Sequence, residues 1–317
     1  MTNLQSPVSP PAVRWFDITE HHAGQRLDNF LITQLKGVPK SHLYRLIRAG
    51  EVRINKKRCK PDSRLNVGDQ VRVAPIRLAE AQATVPIGAG LAQGLRQRVV
   101  YEDDGLIVLN KPAGLAVHGG SGLAFGVIEA LRQAYDAPWL ELVHRIDRDT
   151  SGLLLIAKKR PVLKQLQEDF REGRIRKTYQ ALVKGTVLLD RQRIDAPLLR
   201  TETPAGERRV RVHPEGKPSQ TLWQVSERLH GATLVEASPL TGRTHQIRVH
   251  GLSIGHPLVG DDKYGHQVAY SGPAARRLCL HAARLLVPGY PEFVAPLPED
   301  ISALVAQLRQ GRGQPGR

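Results

Sequence analysis

The chain has 317 residues, 41% hydrophobic and 24% charged, with a formal net charge of +16 and a pI near 10.2. That length exceeds one average domain, and the positive excess favours a polyanionic partner, while 5% aromatic content argues against broad base stacking as the main mode of contact. There is no run of about 18 apolar residues, the segment Met1 to Pro7 lacks the basic and apolar parts of a signal peptide, and Cys59 and Cys279 lack the spacing of a disulfide framework or zinc site, so a cytosolic location and two packed thiols are expected.

Residues 1–20, with Pro7, Pro10 and Pro11 and no periodicity, read as a flexible N-terminal arm. Leu27, Phe30, Leu31 and Leu35 follow helical spacing and predict an amphipathic helix. A second helix is expected from Ser41 as N-cap to Ala49, ended by Gly50 in a left-handed conformation. Its Leu43, Leu46 and Ile47 face a core, and Arg45 and Arg48, with nearby Lys40, project into solvent. Alternating Val52-Arg53-Ile54, the turn Asn55 to Arg58 and a closing strand Val71 to Val73 complete a small unit over residues 21–80. These 60 residues hold 13 Lys plus Arg against 5 Asp plus Glu, half of the net charge of the chain. Such a concentration on a helix and its adjoining loop favours RNA-backbone binding over a merely solvated face.

The stretches Gly24 to Asp28, Phe30-Leu31, Ser41 to Ile47, Gly50 to Asn55 and Val67-Gly68-Asp69 resemble the S4 RNA-binding domain. That resemblance implies an RNA clamp on the second helix and following loop, which places Lys40, Arg45, Arg48, Lys56, Lys57 and Arg58 as RNA-binding residues.

Residues 81–97, rich in Ala, Gly and Gln, read as a linker before a unit spanning 98–317. That unit opens with Val99 to Glu102 and Leu106 to Leu109 around Asp103-Asp104-Gly105, a hairpin signal in which Gly105 supplies positive φ. Further strands are expected at Leu153 to Ala157, Tyr179 to Val183, Leu222 to Val225, Thr233 to Ala237 and Leu278 to Ala282. Helices are expected at Val127 to Ala134, Pro161 to Phe170, Gln246 to Ile254 and Ile301 to Leu308. The interleaving fits an α+β fold with a large sheet and peripheral helices.

Phosphate-loop and HExxH motifs are absent, and the clusters Gly88-Ala89-Gly90 and Gly120-Ser121-Gly122 fail the spacing of a dinucleotide loop, so no nucleotide cofactor or metal is expected. His245 and His250, five residues apart with no Cys or carboxylate to complete a site, read as core or hydrogen-bonding residues. The polar cluster His144-Arg145-Ile146-Asp147-Arg148-Asp149-Thr150-Ser151-Gly152 precedes the apolar run Leu153 to Ala157, and so reads as a loop feeding a buried strand. Physical reasoning alone leaves two roles open: a capping segment that satisfies backbone groups, or a catalytic loop on a rigid sheet.

The same segment resembles the HR-x-D-x-x-T-S-G signature of the RluA/RluC type of pseudouridine synthase. Asn110 to His118, Arg176 to Tyr179, Leu240 to His250 and Gly255 to Asp261 are similar to that family in its own order, with the nearest likeness to its C-type, which acts on large-subunit (23S) ribosomal RNA. The resemblance implies a large mixed, mainly antiparallel catalytic sheet, no cofactor, and an isomerisation that breaks the N1–C1′ bond of uridine and rejoins the base through C5. It assigns Asp147 as the essential carboxylate, acting as nucleophile or base, and Arg243 as its charge partner; read from the residues alone, Arg243 is a surface turn residue. It further assigns Tyr179 as the aromatic against the flipped base, Arg145 as the residue filling the vacated stack, and a structural role to Asp149. The expected partner is 23S ribosomal RNA or a pre-ribosomal particle, bound by a monomer. Transfer RNA as substrate, or a non-catalytic ribosomal RNA-binding or assembly factor, are the alternatives.

Overall fold

The computed structural model describes residues 12–35, 38–76, 88–119, 125–202 and 208–311. Its first elements are β1 (Arg14–Asp17), α1 (Leu27–Gln34), α2 (Lys40–Ala49), β2 (Val52–Ile54), β3 (Lys57–Arg58) and β4 (Gln70–Val73). The strands form a sheet in the order β1-β4-β2-β3. Phe30 and Leu31 of α1 and Leu43, Leu46 and Ile47 of α2 bury against Val52, Val71 and Val73, so both helices cover one face of this sheet. Gly50 ends α2 at φ 79°, donating its N–H to Ile47 O, as its sequence position led us to expect. Asn55 and Lys56 both take positive φ (49° and 66°), the pair a two-residue hairpin requires.

Two expectations for this region are corrected. The helix α2 starts at Lys40 after Pro39, which has no side chain able to cap, so Ser41 lies inside the first turn. The arm expected over residues 1–20 holds β1, which pairs antiparallel with β4 through Trp15↔Arg72 and its neighbours; Pro7, Pro10 and Pro11 lie outside the described residues.

The chain continues through α3 (Ala89–Arg96), β5 (Val99–Glu102), β6 (Leu106–Lys111), α4 (Val127–Ala134), β7 (Glu141–Leu142), β8 (Ser151–Ala157), α5 (Arg160–Arg171), β9 (Arg176–Lys184), β10 (Arg191–Asp195), β11 (Leu198–Glu202), β12 (Arg208–Val212), β13 (Gln220–Arg228), β14 (Ala232–Pro239), α6 (Gln246–Ser253), β15 (Leu280–Leu286), β16 (Phe293–Val294) and α7 (Glu299–Gln310). The stretch 81–97 is therefore not linker throughout: α3 occupies its end, and Leu95 packs with Val127 and Leu131 of α4. Residues 77–87 and Gly120-Ser121-Gly122 lie outside the described residues.

The large sheet runs β10-β13-β14-β9-β15-β8-β6-β5, with β7 on β8 and β16 on β15. It is mixed and mainly antiparallel; β15 and β8 run parallel. Every residue of β8 is buried, because α4 covers one side and α5 the other, and an unbroken apolar run is what a strand buried on both faces requires. Gly105 does not take positive φ: the turn closes instead through Asp103 Oδ1, which accepts the N–H groups of Gly105 and Leu106, each at 2.7 Å.

The N-terminal elements dock on the large sheet's periphery. The His21 ring stacks on Trp139 at 4.2 Å between centroids, and its Nδ1 lies 3.2 Å from Lys158 O.

Candidate active site

The polar segment 143–150 is the loop between β7 and β8, and buried contacts fix both of its ends. Gly152 sits at φ 110° where β8 meets β15, and a Cβ there would stand 2.6 Å from the Ala282 nitrogen, so only glycine lets the two backbones approach. Next to it, Ser151 Oγ is 2.9 Å from His281 Nδ1, and His281 Nε2 is 3.1 Å from Ala295 O. Lys111, fully buried, donates from Nζ to the carbonyls of Pro112, Leu115 and Arg148, matching three acceptors to the three N–H bonds of an ammonium. Burial pulls that ammonium down to about 7, with the Asp149 and Asp147 charges opposing the shift.

Held in this way, Asp147 faces a cavity of about 800 Å³ whose lining includes Arg145, Phe170, Lys177, Tyr179, Leu240, Arg243, His245 and Arg248. A second hollow of about 440 Å³ meets it at Arg145, Asp147, His245 and Arg248, and adds Arg148, Arg209 and Lys263. All four expected site residues, Asp147, Tyr179, Arg145 and Arg243, thus line one cavity.

The structure does not bring the Arg243 guanidinium into an ion pair with Asp147. Arg243 is exposed on the rim, where Nε donates to Pro218 O at 3.2 Å, and its own N–H is held by Gln246 Oε1. The basic groups beside the carboxylate lie further along the chain: His245, just before α6, has Nε2 at 3.9 Å and Arg248, in its first turn, has Nη1 at 3.7 Å from Asp147 Oδ2. Sequence reasoning missed both. It took Arg243 from the motif, and it read His245 as a core or hydrogen-bonding residue, which covers its contact with Tyr264 but not its place beside Asp147.

The cation of Arg248 is aimed by its surroundings. Its Nε and Nη2 donate to the two oxygens of Asp261, each at 2.7 Å, and Asp261 Oδ1 also accepts the N–H groups of Lys263 and Tyr264. Burial pushes the Asp261 carboxyl up, but the hydrogen bonds and charge of Arg248 outweigh it and leave the pKa below the usual carboxylate range.

His245 precedes α6 in a left-handed conformation (φ 53°, ψ 22°), a backbone state that costs a non-glycine residue about 1–2 kcal/mol. Its Nδ1 lies 2.7 Å from Tyr264 Oη, and Oη already accepts the Val210 N–H. The tyrosine proton is therefore assigned to His245 Nδ1, which leaves Nε2–H directed at Asp147. Burial keeps this imidazole below its ordinary pKa despite the nearby carboxylate.

Across the cavity, burial and the Asp147 charge push the Tyr179 hydroxyl well above its usual range, so it stays protonated. Beneath the loop His144 is neutral: burial and Lys177 bring it down to about 3, and its Nε2 accepts the Leu155 N–H at 3.1 Å. Asp149 pairs with its neighbour Arg148 at 2.9 Å, the hydrogen-bonding role expected of it. His250 is buried among Ser219, Thr221 and Ala196 O, as a core histidine.

Lys40, Arg45, Arg48, Lys56, Lys57 and Arg58 are all exposed on the N-terminal elements, and none lines either cavity. Among the described residues no cluster of His, Cys, Asp and Glu is arranged to hold a metal ion, and no helix is long and apolar enough to cross a membrane.

The chain, whose mixed sheet presents Asp147, Arg248 and the half-buried Tyr179 around one cavity, is similar in sequence and fold to known proteins. Residues 105–253 match the RNA pseudouridylate synthase family and residues 25–71 the S4 domain. Ribosomal large subunit pseudouridine synthase C of Escherichia coli (strain K12) is 51% identical over 315 residues, covering 95% of this chain and 98% of its own. The enzyme of the same name from Yersinia pestis is 53% identical over 281 residues, covering 87% and 88%. The solved structure of human RNA pseudouridylate synthase domain containing 4 superposes with a TM-score of 0.58 at 27% identity, covering 69% of this chain and 95% of its own. The chain belongs to the RNA pseudouridylate synthase family, and carries an S4 domain ahead of its catalytic sheet. Within that family its similarity runs to the C-type enzymes at half identity over nearly the full length.

Proposed function

We propose that the chain isomerises specific uridines to pseudouridine in large-subunit (23S) ribosomal RNA, with Asp147 as the essential anionic group. One observation carries this reading: the Asp147 carboxylate stands at 3.7 Å from an Arg248 cation that Asp261 holds in place, in a cavity that Tyr179 also lines. The reaction breaks N1–C1′, forms C5–C1′, gives a proton to N1 and loses one from C5, with no change of oxidation state. Asp147 serves it as nucleophile or base beside the sugar. Tyr179 lies against the base once the uridine is turned out of its helix, a step that costs about a few kcal/mol, and Arg145 at the cavity mouth takes the vacated stack. Residues 98–317 act as the catalytic unit, and the basic N-terminal unit around residues 21–80, with Lys40, Arg45, Arg48, Lys56, Lys57 and Arg58, supplies backbone affinity. The carboxylate, both of its neighbours and the tyrosine lie on one chain, so the proposed site needs no second copy, and the reading places the enzyme in the cytosol as a monomer.

Tritium release from 5-³H-uridine RNA tests the proposal. Wild type is expected to release tritium from 23S RNA, and Asp147→Asn to bind the RNA while releasing none. Full activity in Asp147→Asn would sink the assignment, and release from transfer RNA alone would move the substrate.

A further inference from the structure

The outer face of the N-terminal sheet carries a row of four side chains outside the catalytic site, of which only Arg58 belongs to the RNA surface of α2 and its loop. Trp15 of β1 is paired with Arg72 of β4, Arg72 with Arg53 of β2, and Arg53 with Arg58 of β3. Residues directly opposite across a sheet project from the same face, so the four side chains form one line across four strands, roughly 14 Å long at about 4.8 Å per strand. Their neighbours in sequence, Phe16, Val71, Val73 and Val52, face the core where α2 packs, which puts this line on the side of the sheet away from α2.

Three members of the line are open to solvent, and Arg72 is half-buried. Trp15 is 48% exposed, and Arg53 and Arg58 are exposed. Arg53 is held in place by donating to Gly50 O and Lys56 O, at 3.2 and 3.1 Å, and Arg72 has no ion-pair partner among the described residues. Like charges facing one another across strands disfavour a sheet, and three successive arginines do so here unless an anion lies over them. Trp15 and Arg72 also fall outside the segment that matches the S4 domain, residues 25–71.

We propose that this face binds single-stranded RNA, with a base stacked on Trp15 and the following phosphates on Arg72, Arg53 and Arg58. A tryptophan face needs an unpaired base, because both faces of a base inside a duplex are already covered. Guanidinium groups in a row suit the phosphates of an extended strand. The proposal rests on the reading of the chain as an RNA enzyme, and extends the RNA surface of its N-terminal unit from α2 and its loop, through Arg58, onto the sheet face.

Titration of the full-length protein with a fluorescent oligouridylate and with a duplex of equal length tests it. The wild type is expected to bind the single strand; Trp15→Ala to weaken that binding about tenfold; Trp15→Phe, which keeps a stacking ring, to weaken it less than about threefold; and Arg72→Ala to reduce the salt slope by about 0.7. Duplex binding by Trp15→Ala should stay within about twofold of wild type. The proposal is overturned if wild type does not bind the strand, if Trp15→Ala and Arg72→Ala both bind it as wild type does, or if single-strand and duplex affinities fall together. Tritium release by the same wild-type preparation reports separately on the enzyme reading, so a failure there is distinguishable from a failure of this surface.

Discussion

Arg248 extends Nη1 to 3.7 Å from Asp147 Oδ2 while Asp261 holds its other two nitrogens at 2.7 Å each. The planar fork is required, because a lysine can satisfy either carboxylate but not both with fixed direction. Arg248→Lys is expected to lower kcat about 100-fold with RNA affinity kept, since the charge it aims acts at the reacting centre. Arg243→Lys, on the rim, is expected to change kcat less than about fivefold. Single-turnover tritium release on both variants decides between them, and a larger loss for Arg243→Lys would return that residue to the role its motif suggested.

Lys111 anchors the catalytic loop from below. Lys111→Met fills the same space but leaves the carbonyls of Pro112, Leu115 and Arg148 without their donor. The expected loss is about 2–4 kcal/mol of stability, read by urea unfolding, together with a fall in kcat because the Arg148 carbonyl is one residue from Asp147. Wild-type stability in the variant would show that these carbonyls find other partners.

Gly152→Ala places a Cβ against the Ala282 backbone at φ 110°. Neither neighbour is a flexible side chain, so the β8–β15 pairing must open. A loss of more than about 3 kcal/mol is expected, seen as a lowered melting temperature or an insoluble product; a melting temperature within a few degrees of wild type would contradict the close approach.

Stability should fall in acid through His144. The folded chain keeps this imidazole neutral down to about 3, whereas the unfolded chain protonates it near the ordinary 6.5. The unfolded state therefore binds the extra proton between those values: the contribution is complete above about 6.5 and is lost as pH falls towards 3, at up to about 1.4 kcal/mol per pH unit. Urea unfolding at pH 7.5 and 5.5 is expected to show a drop in wild type that His144→Gln reduces by about 1 kcal/mol. Equal drops in both proteins would mean that His144 is solvated.

What was legible in the sequence followed the strength of each pattern. The helix Val127–Ala134 lies where its apolar spacing put it, and the apolar run Leu153 to Ala157 is a central strand. The ribbon of β11 and β12 went unread although Arg209-Val210-Arg211-Val212 alternates, because so short a pattern with only two apolar residues does not stand out from a charged loop. The strand β1 was hidden by the prolines before it and by the half-exposed Trp15, since an edge strand buries little. At the site, the loop and Asp147 were legible through resemblance, but the choice between Arg243 and Arg248 was not: it depends on α6 being buried on all sides. A helix that hides Gln246, Arg248 and His250 in succession was the available signal, because buried polar side chains need partners.

The clasp between Ser151 and His281 joins residues 130 apart in sequence. Loop closure over that distance is slow and entropically costly, and a ribosome releases the second half of the clasp only when most of the chain has emerged. The loop bearing Asp147 is thus made early and locked late. A truncated or nascent chain ending before β15 would carry the complete signature sequence without the strand that fixes its geometry, so assembly of the competent site is a terminal event in the protein's own folding.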